Sequence, residues 1–246
     1  MALLTCAATV FAEQGGPLFM VAGDPSEVVG ASIGFVGNVT VPGMVAESAL
    51  RGALVYTIAW IPVAAILAVA TTGKGVSAET ARISQARGIP GGATVLSRAL
   101  PETGALSLAY ALSCFASFLF HLLASGTSFA VAPWDMAFAA IATNCLLLSA
   151  IYFISASIAA LLRAPLLSAF LTLVFHVGAL LAYPNAYIAG EAPAIAWVNP
   201  AVCLMHTCSL NTQSMPLGAI SIIGVLAIGI CCALMYFACN HQEVCR

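Results

Sequence analysis

Apolar residues in this chain fall in long unbroken blocks rather than alternating with polar ones. Five blocks approach or exceed the roughly 20 apolar residues of a bilayer-crossing helix: Gly52–Thr72, Leu106–Ser125, Met136–Leu162, Leu166–Tyr183 and Leu217–Cys239. A barrel strand would instead alternate over about ten residues. The pattern therefore predicts an all-α, polytopic helical membrane protein with five clear transmembrane helices. The third block is longer than a bilayer requires, so it tilts or extends beyond the membrane. Arg163-Ala164-Pro165 separates the third block from the fourth, and Pro216 introduces the fifth.

The amino-terminal stretch Met1–Phe11 is apolar but too short to span, and Glu13-Gln14-Gly15-Gly16 ends it. No Lys or Arg precedes Arg51, so the basic region of a signal peptide is missing. Leu3-Leu4-Thr5-Cys6 matches a lipid-attachment site only loosely. The preferred reading is the outer end of a first spanning helix, most of which this chain lacks.

Composition sharpens the picture. Of 246 residues, 62% are hydrophobic and 7% are charged, against about 25% charged in ordinary soluble domains. So few charges cannot cover a water-soluble surface, whereas lipid demands none. A net charge of −2 with no basic cluster excludes nucleic-acid binding.

The few cations are ordered. Lys74, Arg82, Arg87, Arg98, Arg163 and Arg246 fall on one side if the five helices alternate, and only Arg51 falls on the other. Because Lys and Arg are retained in the cytoplasm, residues 1–50 are expected outside, 51–240 in the membrane domain, and 241–246 as a cytoplasmic tail. A multi-pass cell-membrane protein with its amino terminus outside follows.

Loop 73–105 is the longest expected cytoplasmic segment. Ser77 can cap a helix with Glu79 in its first turn. That helix stops at Gly88-Ile89-Pro90-Gly91-Gly92, a run of breakers. A second interfacial helix restarts near Ala93, and Pro101 and Gly104 are expected to divide it from the next span. On composition alone, such a loop is a surface helix connecting two spans.

The stretch from Glu79 through Arg82, the Ala86-Arg87-Gly88-Ile89-Pro90 turn and Arg98 resembles the cytoplasmic loop of permease subunits of type-2 ABC exporters. Trp197-Val198-Asn199-Pro200 is similar to the Asn-Pro segment before the last span of that family. The resemblance covers roughly residues 50–240; the family normally has six spans and a cytoplasmic amino terminus. It implies a coupling helix with Glu79, Arg82, Ile83, Ala86 and Arg87 facing a separate ATP-binding cassette ATPase. It also implies a second permease copy, identical or paired, and alternating access powered by the partner. The alternative is a non-transporting membrane assembly, sensing or immunity-type protein, or a truncated permease remnant.

The outer loop 184–215 is unusually apolar for a loop, with Ile195, Trp197, Val202, Leu204 and Met205. It either dips into the membrane, where two short helices of the family would fit, or lies on the surface. Its Cys203 and Cys208 are spaced so that a disulfide is open to them. Intramembrane polar groups mark transport paths, which singles out Asn144 and His176 over a background in which such residues more often serve packing. No Asp, Glu, Lys or Arg falls deep within the five blocks, which argues against proton- or sodium-coupled carriage. Nucleophile-elbow, zinc-helix and phosphate-loop patterns are all missing from the sequence. The chain is therefore read as non-enzymatic, with no cofactor and no metal.

Overall fold

The computed structural model describes residues 21–22, 35–36, 45–75, 86–124, 126, 128–162, 164–188, 197–208, 210 and 216–244. Met1–Phe11 and the coupling candidates Glu79, Arg82 and Ile83 lie outside the described residues. Seven α-helices are described: α1 (Val45–Val55), α2 (Trp60–Gly75), α3 (Gly91–Ala124), α4 (Trp134–Leu162), α5 (Pro165–Ile188), α6 (Pro200–Cys208) and α7 (Leu217–Val244). A 3₁₀ turn, Tyr56–Ala59, joins α1 to α2. Two short strands, β1 (Val21–Ala22) and β2 (Phe35–Val36), pair in parallel.

Five helical stretches are long and apolar enough to cross a membrane: Ala49–Thr72, Gly91–Ala124, Trp134–Leu162, Pro165–Tyr183 and Leu217–Asn240. They coincide with the five apolar blocks. The chain is an all-α polytopic membrane protein.

Helix α4 is the axis of the bundle, packed by α2, α3, α5, α6 and α7. Its sequence explains the position: Ala140, Ala150, Ala156 and Ala160 let neighbours approach closely, while Leu147, Leu148, Ile151 and Phe153 fill the gaps between them. Helix α7 turns Ile222, Val225, Leu226, Ile230, Leu234 and Phe237 outward, and α5 does the same with Leu166, Phe170 and Val174. Exposed apolar faces of that length suit a lipid solvent. At the start of α4, exposed Asp135 sits in the first turn, where the helix dipole favours an acid. Trp134 anchors the same end, donating from Nε1 to the Phe129 carbonyl at 2.8 Å.

One expectation fails here. Pro101 and Gly104 do not separate an interfacial helix from the second span, because α3 runs unbroken for 34 residues from Gly91 to Ala124. Proline removes one ladder hydrogen bond, a loss that packed membrane helices tolerate when neighbours support the backbone. Thr103 contributes by donating to the Ala99 carbonyl at 2.6 Å, and its side chain is buried between helices. Tertiary packing overrides the local breaker signal.

The amino-terminal end of α3 is fixed by α7. The Gly92 N–H, one of the donors a helix leaves unsatisfied in its first turn, bonds Asn240 Oδ1 at 2.9 Å. No side chain fits at this crossing: a Cβ on Gly92 would stand 2.6 Å from the Tyr236 carbonyl oxygen.

Candidate functional site

Between α5 and α7 the chain does not stay at the surface. All nine residues of α6, Pro200–Cys208, are buried. The helix packs on α4 and α5 and also meets α1, the 3₁₀ turn, α7 and β2. A helix surrounded on every side must be apolar all round, which accounts for Ala201, Val202, Leu204 and Met205 in a segment that reads as a loop.

The Asn-Pro pair is the start signal of α6. Asn199 is the N-cap: its Oδ1 accepts from the Ala201 N–H at 2.9 Å, and its carbonyl accepts from the Val202 and Cys203 N–H groups. Pro200 takes the first helical position, where a missing N–H costs nothing. Asn199 also reaches across to α5, donating from Nδ2 to the Phe175 carbonyl at 3.0 Å and meeting His176 Nδ1 at 3.4 Å. Because Asn199 Oδ1 is already an acceptor, His176 must donate from Nδ1, and its Nε2 is then a bare acceptor. No protein donor among the described residues reaches that Nε2. Trp197 lies tilted against His206 with ring centroids 4.1 Å apart, and Tyr183 meets both rings edge-on. Trp197 therefore packs against α6.

A second polar cluster grips the other end of α6. Asn144 donates from Nδ2 to Tyr110 Oη at 2.8 Å and, more weakly, to Cys208 Sγ at 3.5 Å. Tyr110 Oη lies 2.9 Å from Thr57 Oγ1. The Tyr110 ring meets Trp60 edge-on. Two helices, α3 and α4, and the 3₁₀ turn thus meet at one hydroxyl. Asn144 Oδ1 finds no protein donor among the described residues.

Asn144 and His176, the two residues singled out as intramembrane polar groups, are both completely buried. The fold brings them to opposite ends of one short helix rather than to each other. Cys203 and Cys208 occupy the same helix and are not joined: Cys203 donates to the Trp197 carbonyl, and Cys208 accepts from Asn144.

A third cluster lies at the end of the bundle where α3 begins. Tyr152 donates to Glu102 Oε2 at 2.5 Å, and Thr71 Oγ1 lies 3.0 Å from Tyr152 Oη. Thr71, Glu102 and Tyr152 tie α2, α3 and α4 together across a half-open cleft that Arg98 also lines. Glu102 sits inside the unbroken α3, about 33 Å along it from Ala124, where the sequence reads a boundary at Pro101. The exposed residues Ala86, Arg87, Gly88, Ile89 and Pro90 lie just before α3, with Gly88 at φ 69°, a left-handed turn suited to glycine.

No group of three or more His, Cys, Asp or Glu side chains able to hold a metal ion occurs among the described residues. Compared with protein-family models, curated proteins and solved structures, the chain matches none.

Proposed function

We propose that this chain is the membrane-spanning permease subunit of an ATP-driven exporter of the type-2 ABC kind. In this reading α3 begins in the cytoplasm, α6 lies toward the outside, and the carboxyl terminus is inside. The observation that carries the reading is the unbroken α3. It starts directly after the exposed turn at Arg87–Pro90 and continues to Ala124. A surface able to receive a partner is thereby joined, without a hinge, to the bundle interior. Exposed Arg87 supplies charge for register, and exposed Ile89 supplies an apolar contact.

A push on that turn would be felt first at Gly92, held by α7, and then at Glu102, held by Tyr152 of α4. Both ties must yield or travel for the spans to re-pack. Closure of two ATPase subunits would supply the work, and a second permease copy would complete the pathway. An amphipathic or peptide-like substrate is the cargo class this reading carries.

Deleting residues 78–87 is expected to abolish co-purification with an ATPase encoded beside this chain, while Arg87→Glu weakens it. Pull-down from detergent-solubilised membranes checks both. A complex that survives the deletion intact removes the coupling-helix reading.

A further inference from the structure

We infer that α6 is a gate, a helix resting in a seat that it leaves in a second state of the protein. Three observations converge on it. Leu210, buried and two residues past α6, has φ 54°. Leucine avoids this left-handed conformation because its Cβ crowds the following carbonyl oxygen. Strain of this kind persists only where surrounding packing imposes it, and it gathers at switches. Asn144 Oδ1, at the Cys208 end, is a buried acceptor with no protein donor among the described residues. His176 Nε2, at the Asn199 end, is another, and the hydrogen bond of Asn199 to Ala201 forces its acceptor state.

Buried acceptors without donors are costly and normally absent from a settled core. Leu210 and these two acceptors adjoin one nine-residue helix, α6; Ser117 Oγ of α3 is a further buried atom without a hydrogen-bond partner among the described residues. At the far end, the Asn144 amide reaches Cys208 through a sulfur contact at 3.5 Å. Movement of α6 would relax Leu210 and uncover Asn144 Oδ1 and His176 Nε2 to any group that donates hydrogen bonds. This inference goes beyond the exporter reading and needs no ATPase to be observed.

The full chain in lipid nanodiscs, treated with N-ethylmaleimide and read by mass spectrometry, tests it. Cys203 and Cys208, both buried in α6, should react together and about tenfold or more faster than Cys231, which is buried in α7. Asn199→Ala removes the cap and the tie to α5 and should speed them by about tenfold. The inference is overturned if the α6 thiols react no faster than Cys231 in the wild-type chain. It is equally overturned if Asn199→Ala, recovered folded, labels at or below the wild-type rate; the wild-type comparison stands even if that variant does not fold.

Discussion

Alanine at position 92 should destabilise the protein by about 1–3 kcal/mol, whereas alanine at position 104 in the same helix should stabilise it by about 0.5–1 kcal/mol. The two glycines differ only in what stands beside them. At Gly104 nothing lies within 4 Å of an added Cβ, so the substitution simply removes the flexibility of glycine from an exposed helical site. At Gly92 the new atom meets the Tyr236 carbonyl oxygen at 2.6 Å and its Cα at 2.8 Å. Backbone cannot rotate away as a side chain can, so the end of α7 must move, and the hydrogen bond from Gly92 to Asn240 goes with it. Leucine at position 92 should prevent the α3–α7 crossing from forming. Thermal unfolding of the purified chain in one detergent checks the pair, with opposite signs as the expected result. Equal shifts would mean that α3 and α7 do not cross as described.

The spans were legible because lipid rewards a crude signal. Unbroken apolar length suffices, and α4 or α7 can be read without knowing any neighbour. What the sequence concealed were features that depend on neighbours. Pro101 reads as a stop, yet contacts from α2, α4 and α7 hold α3 straight through it. The segment containing Val202, Leu204 and Met205 reads as an odd loop, because nothing local says that six elements surround it. A cap signal was present all the same: Asn followed by Pro before an apolar run is the start of a helix. The polar clusters were half visible. Asn144 and His176 stand out against apolar surroundings, but their partners Tyr110, Thr57 and Asn199 come from distant segments. Glu102 was hidden by its proline neighbour.

These clusters share a logic. Each ties helices that apolar packing alone would leave free to slide, since lipid tails offer no hydrophobic force between spans. One stands where α3 begins, at Glu102 and Tyr152; another stands against the far end of α6, at Asn144 and Tyr110. Between them α4 carries both Asn144 and Tyr152, so a shift of this single helix would strain both clusters together.

Asn144→Asp, nearly isosteric, should lose most of the folded protein, whereas Asn144→Leu should keep it. In the wild-type chain the amide donates to Tyr110 and has one oxygen without a protein donor. A carboxylate would remove that donor and add a second acceptor, with a full charge, at a position with no solvent exposure. Tyr110 and Cys208 could turn their protons toward it, but a lone buried ion still costs several kcal/mol. Leucine instead removes both the donor and the unsatisfied acceptor, and Tyr110 keeps Thr57 as its partner. Because Tyr110 retains Thr57, the substitution strands no strong hydrogen-bonding group, and the loss is about 1 kcal/mol. Monodisperse protein recovered on detergent size-exclusion should therefore fall several-fold for the aspartate and stay near wild type for the leucine. That order would place the value of Asn144 outside folding stability, in its grip on Cys208 and α6. Loss of the leucine variant as well would show instead that Asn144 is a structural tie of the bundle.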